Sequence, residues 1–271
     1  MRRINAARHT RGARTIFGVT RITAACVAVV ALIGDINYTI GTGPFAIANF
    51  FSYFTVQSMT IAVIVFALGA ANALREPQDP LWLDKLRAVS TCYVIVSGLV
   101  FAVILVEGTF RGIPVWAPWS SQLLHFVLPA YALLDWIVAP GREVPWKTIG
   151  WVLLFPAIWV VFTMIRGSQV YWYPYFFLDP ALVEIPFEFG LYILATIVIF
   201  TGVVSGLIAI SRRHHSRQTA TEARPQAPQA PRDQGTAPDS STPPAADRHQ
   251  RTRPSASLPR LHRSPQAWAH P

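Results

Sequence analysis

Two stretches decide how this chain is read: Asn49–Met59, NFFSYFTVQSM, and Gln122–Trp136, QLLHFVLPAYALLDW. Both lie inside long apolar runs. The first places Ser52, Thr55, Gln57 and Ser58 where lipid or dry protein is expected. The second carries His125, the only one of seven histidines that falls in an apolar segment. Polar groups at membrane depth are costly and persist mainly where they find partners or act on something. The question posed by these two stretches is whether Thr55 and His125 meet.

The surrounding composition sets the class. Of 271 residues, 52% are hydrophobic and 14% charged, against about a quarter charged in a soluble domain. Apolar runs of membrane-spanning length recur at about 20–40, 47–74, 87–107, 120–139, 147–166 and 187–211. Each approaches the ~20 residues that a bilayer core requires. The fold class is therefore all-α: a polytopic bundle of six transmembrane helices, residues 20–211, between a basic N-terminus (1–19) and a basic, Pro-rich tail (212–271). The second run, at 28 residues, would be about 42 Å long as a helix and would have to tilt or project. Residues 1–21 hold six arginines and no acid, but the first run is long, lacks a clear cleavage site and is followed by more spans, so it reads as an uncleaved first span. Residues 216–271 lack apolar periodicity and read as disordered.

Charge sets the expected orientation. Of the 23 Lys and Arg, the N-terminal segment holds six, the 75–87 loop three, the 140–147 loop two and the tail ten; Arg111 and Arg166 alone lie on the other side. The positive-inside rule then puts both termini in the cytoplasm, with the protein multi-pass in the plasma membrane. The formal charge of +9 sits at termini and loops instead of on one folded face, so the partner it implies is the lipid bilayer and not nucleic acid. Cys26 and Cys92 both fall in apolar segments and are expected as buried thiols outside any disulfide framework.

With that orientation, Thr55 lies eight residues into the second run, about 12 Å along its axis, and His125 five residues into the fourth, about 7–8 Å. The second and fourth runs both begin on the outer side, so the two residues share one level in the outer half. Pro129 removes the hydrogen bond to the carbonyl four residues earlier, which is that of His125, and Pro156 does the same to Val152. A hydroxyl becomes a nucleophile when a neutral histidine takes its proton, and Ser52, Thr55 and Ser58 are all eligible on spacing. Asp35, Glu107, Asp179, Glu184 and Glu188 are candidates to orient the ring. Asp135, at the opposite end of its span, is expected to pair with Arg142 or Lys147. The aromatic segment 166–186 reads as an interfacial belt or a lid over the outer half. One intramembrane histidine cannot supply paired haem ligands. Without HExxH, a CxxC pair or a nucleophile elbow, no metal or other cofactor is expected.

Phe54-Thr55-Val56-Gln57-Ser58, then His125 with Pro129, then Tyr173-Pro-Tyr175-Phe-Phe-Leu-Asp179 form an ordered set. It resembles the androgen-induced-gene family, which includes the androgen-dependent TFPI-regulating protein and bacterial membrane proteins. The likeness spans roughly 17–210. It implies a membrane-embedded hydrolase of fatty-acid esters with Thr55 as nucleophile and His125 as base. Ser52, Gln57, Ser58, Met59, Tyr173, Tyr175 and Asp179 are expected around the substrate. Met59 departs from the asparagine that bacterial relatives often carry there. The alternative is a non-enzymatic membrane carrier or receptor for an amphipathic small molecule, with the same polar cluster as its pocket.

Overall fold

The structure is a computed structural model that describes residues 2–42, 46–112, 115–139, 141–184 and 186–222. The described elements all belong to the first of two units, Met1–Pro225. The tail expected to be disordered lies outside the described residues from 223 onward; the part of it within them, 216–222, is helical.

Every element among the described residues is helical. Long helices α1 (Arg2–Thr42), α3 (Phe54–Arg75), α4 (Leu81–Arg111), α7 (Thr148–Val170) and α8 (Phe187–Glu222) are joined by short ones, α2 (Ile47–Phe50), α5 (Trp119–Gln122) and α6 (Leu128–Val138). A π-helical turn, Leu123–Val127, links α5 to α6, and a 3₁₀ turn spans Phe176–Leu178. Six stretches are long and apolar enough to cross a membrane: Arg11–Gly41, Phe54–Arg75, Leu81–Arg111, Trp119–Val138, Thr148–Val170 and Phe187–Arg213. The chain is an integral, multi-pass membrane protein of six helical spans.

The breaks follow local chemistry. Pro80 precedes α4 in an extended conformation, as suits a residue without a backbone N–H. Gly112, at φ 66°, ends α4 in the left-handed conformation that glycine adopts freely. Tyr171 closes α7 in the same region at φ 52°, and its N–H donates to the Gly167 carbonyl at 2.8 Å.

The second run is where the structure departs most from the hydropathy reading. It is not one 28-residue helix. Residues 47–50 form a separate turn, Tyr53 is extended, and α3 begins at Phe54. Apolar residues in this linker mimic a longer span, because hydropathy averages over side chains and is blind to backbone direction. Nor does the last helix stop where its apolar run was expected to end, at 211, since α8 continues to Glu222.

Packing forms two clusters about α3 and α4. On one side Ala24, Ala28 and Ala31 of α1 meet Met59, Ala62 and Phe66 of α3, with Leu124 and Leu128. Small residues let membrane helices approach closely, where van der Waals contact rather than water exclusion holds them. On the other side Phe54, Cys92, Tyr93 and Val96 meet Trp136, Val152, Phe200 and Val204. The Val152 carbonyl, left without a donor by Pro156, accepts the Tyr93 hydroxyl at 3.1 Å. Cys92 is buried, whereas Cys26 faces outward, contrary to its expected burial; both are free thiols.

One end of the bundle is fastened by buried charge. Asp135 pairs with Arg21 Nε at 3.0 Å and Arg87 Nη2 at 2.8 Å. Asp79 joins Arg87 at 3.2 Å and Arg14 at 2.7 Å, and Asp84 joins Arg87 at 3.2 Å. Three arginines and three aspartates thus cancel among α1, the 76–80 loop, α4 and α6. The expected pairing of Asp135 with Arg142 or Lys147 is replaced. Arg142 instead gives its backbone N–H to Asp84 at 2.8 Å, because Asp135 turns into the bundle, where Arg21 and Arg87 already need an anion. Burial alone would raise the Asp79 carboxyl. The hydrogen bond from Arg14 and the charges of Arg87 and Arg21 outweigh it and hold Asp79 below its ordinary 3.8.

Candidate active site

At the other end of the bundle, the break before α3 makes Thr55 the second residue of a helix. Its Oγ1 lies 3.0 Å from Nε2 of His125, and both residues are buried, at 6% and 8% exposure. His125 sits on the π-helical turn. There Leu128 donates to the carbonyl of Leu123, five residues back, and Pro129 has no N–H for the carbonyl of His125. The extra residue in this turn rotates the ring toward α3. Insertions of this kind are frequent at functional sites. Phe101 stacks on the imidazole at 3.8 Å and 15°, which restrains the ring plane.

The hydrogen bonds define the tautomer. Nδ1 of His125 lies 2.8 Å from the Ser121 carbonyl, which can only accept, so Nδ1 carries the hydrogen and Nε2 is the acceptor. The Thr55 hydroxyl therefore donates to Nε2. Thr55 Oγ1 has two further neighbours, Ser97 Oγ at 2.9 Å and the Tyr175 hydroxyl at 3.5 Å. Burial pushes the Tyr175 hydroxyl up to about 12, so it keeps its hydrogen at neutral pH.

None of the five candidate carboxylates touches the imidazole. Asp35 comes nearest in the chain of contacts: it accepts from the Ser120 and Ser121 hydroxyls at 3.1 and 3.3 Å, and the Ser121 carbonyl in turn holds His125. Glu107 and Glu188 both bind Arg111, with Tyr192 beside them. Asp179 Oδ1 accepts the Ala181 N–H at 2.9 Å, and the Glu184 N–H donates to Glu188.

The Thr55–His125 pair opens onto a cavity of about 350 Å³, within the size range of small-molecule sites. Its walls are apolar side chains of α4, α7 and α8, among them Val100, Ile104, Ala157, Val160, Ile193 and Ile197, closed by Tyr175, Phe177 and Leu178 of the aromatic segment. Polar groups gather at one end only, as Thr55, Ser97, His125 and Tyr175, apart from Thr196 on α8.

Of the residues expected around a substrate, Tyr175 alone lines this cavity. Ser52 donates to Ala48 at 2.6 Å and accepts Trp159 Nε1 on its carbonyl at 3.0 Å. Gln57 turns back to the Phe51 carbonyl at 2.8 Å. Ser58 bonds the Thr55 carbonyl at 3.1 Å, and Met59 is packed in the α1 cluster. Tyr173 lies against Gly167, and Asp179 caps a turn. Ser97 and Phe101 are additions that sequence reasoning missed. The available signal was Ser97-Gly98, the one polar and small interruption of the apolar run between Tyr93 and Glu107.

Fold and site together define a six-span helical membrane protein with a buried, tautomerically defined Thr–His pair at the end of an apolar cavity. Compared with protein-family models, curated proteins and solved structures, the chain matches none of the three.

Proposed function

We propose that this protein is a membrane-embedded hydrolase of fatty-acid esters, with Thr55 as nucleophile and His125 as general base. The observation that carries the reading is the 3.0 Å contact from Thr55 Oγ1 to an accepting His125 Nε2 at the polar end of an otherwise apolar cavity. A hydroxyl beside a positioned histidine is the arrangement from which acyl transfer proceeds, and the cavity suits an alkyl chain better than a polar substrate. The resemblance to the androgen-induced-gene family points to the same two residues and is part of this proposal.

In the proposed reaction, Thr55 Oγ1 attacks the acyl carbonyl carbon while its proton passes to His125 Nε2. The tetrahedral adduct collapses, the alcohol leaves with that proton, and the acyl group remains on Thr55. Water then attacks the acyl-threonine and gives its proton to His125; collapse of the second adduct breaks the bond to Oγ1, which takes that proton back from His125 Nε2, and the fatty acid is released. The Ser121 carbonyl keeps the imidazole in the required tautomer throughout, and it supports the cation formed in each step. Substrate would enter laterally. The apolar stretches of α7 and α8 are only 17% and 22% buried, against 56% for α3, so these two helices are the wall most open to lipid. The proposal places both termini in the cytoplasm of a plasma-membrane protein, following the asymmetry of basic residues, and the site in the outer half.

The test is labelling of the purified protein by a fluorophosphonate and turnover of a p-nitrophenyl fatty ester. Thr55→Ala and His125→Ala should each abolish both. Turnover unchanged in both variants would overturn the assignment. Saturable binding of the ester without turnover in the unaltered protein would favour a carrier.

A further inference from the structure

We propose that the hydroxyls of Ser97 and Tyr175 form the oxyanion hole of this site, an assignment that rests on the hydrolase reading above. The number of available hydrogens points to it. Thr55 has one, and it goes to His125 Nε2, because Nδ1 already donates to the Ser121 carbonyl. The Ser97 hydroxyl at 2.9 Å and the Tyr175 hydroxyl at 3.5 Å can therefore meet Thr55 Oγ1 only as donors. Two O–H groups from different elements, α4 and the aromatic segment, thus converge on the nucleophile from the cavity side. Neither can act as the base while its oxygen still carries its own hydrogen.

When Oγ1 bonds to the acyl carbon, the π electrons of the carbonyl move to its oxygen, one further bond out into the cavity. Oγ1 then has less charge to offer the two donors, and the new oxyanion has more. Donors contribute to catalysis when they are aimed at the place where charge develops, about 2.7–3.1 Å from it. The longer Tyr175 distance suits this better than it suits Thr55 itself. The phenol is held for the role: its ring meets Tyr53 at 5.6 Å edge-on and Phe177 at 5.3 Å in a stack. The Thr55 and Phe54 amides, at the positive end of α3, favour charge on the same phenolic oxygen. The rest of the lining is mostly apolar, so each donor acts at lowered dielectric. Collapse of the adduct returns the electron pair to the carbonyl, and both hydroxyls revert to Oγ1 once the acyl group is hydrolysed.

The experiment uses the full chain in detergent, p-nitrophenyl decanoate as substrate, and a ten-carbon trifluoromethyl ketone as probe. Attack on the ketone makes an oxyanion on the enzyme; decanol fills the same cavity without one. Ser97→Ala and Tyr175→Phe should each lower kcat by about 10²–10³ with little change in KM. Both should weaken the ketone in proportion to the loss in kcat/KM, and leave decanol affinity and the thermal midpoint where they were. Ser97→Thr, which restores a hydroxyl, should recover most of the rate. Full kcat in either deletion variant overturns the two-donor hole. So does a parallel loss of decanol binding or thermal stability, which would make the hydroxyl a packing group. If the unaltered protein turns over nothing, the hydrolase reading fails first and this assignment with it. If turnover depends on Thr55 but not on Ser97 or Tyr175, only the two-donor hole fails.

Discussion

The carbonyl of His125 faces the bare Cα of Gly98 so closely that any side chain there would overlap the oxygen. Pro129 has removed the usual donor to that carbonyl, and Gly98 supplies the space for it to project from the π-helical turn. The register of His125 against α4, and through it the contact with Thr55, depends on this approach.

Gly98→Ala is therefore expected to push the turn away from α4. Overpacking of this kind costs about 1–3 kcal/mol, and a displacement near 1 Å at the base costs about 100-fold in rate. Fluorophosphonate labelling should fall far more than the thermal midpoint does. Gly150→Ala, where a Cβ meets nothing within 4 Å, serves as control and should leave both unchanged.

Ala157 of α7 lines the cavity. Ala157→Phe should shorten the chain that fits while leaving the Thr55–His125 contact alone. Each buried methylene is worth about 0.8 kcal/mol. The expected result is a drop of tenfold or more in kcat/KM for a hexadecanoyl ester relative to a butanoyl ester, read from paired assays of the two.

The buried charges should matter more than the exposed ones. Asp135→Asn removes the closer of the two carboxylates shared by Arg21 and Arg87, 2% and 4% exposed, and leaves them only Asp79 in common. Breaking a buried pair in this way costs about 3–5 kcal/mol. Glu143, in a half-exposed pair with Arg212, should cost about 0–1 kcal/mol on change to Gln. Thermal unfolding of both variants in detergent checks the contrast.

The same network sets an acid limit. Asp79 has a folded value held below its ordinary 3.8. A lowered carboxyl contributes stability that is fully present above the unfolded value and lost as pH falls through the folded one. The thermal midpoint should therefore show no loss from Asp79 until the pH drops below about 3.8, then decline. Asp79→Asn should lower the plateau and flatten the decline. A decline that begins near neutrality and survives the substitution would remove Asp79 as its source.

Much of this protein is legible in its sequence. The six spans and the common level of Thr55 and His125 follow from hydropathy and counting. The error in the second run came from the same source: Phe50, Phe51 and Phe54 are equally apolar, but Tyr53 is extended and α3 starts after it. That break moved Thr55 to a helix N-terminus without changing any residue. Pro129 signalled a disturbance at His125, but its outcome as a π-helical turn required Gly98 on a helix read as ordinary. Asp135 was assigned to its neighbours in sequence because Arg21, 114 positions away, carries no local mark of being its partner.

Span number and helical class were determined by the sequence alone, since membrane partition is close to a sum over some twenty neighbouring residues. Which polar groups meet was decided only by tertiary structure. A helix can present any face inward at the same hydropathy. The rotation that aims Thr55 Oγ1 at His125 Nε2 is set by distant alanines on α1, by Gly98 on α4, and by the arginine–aspartate lock at the far end of the bundle.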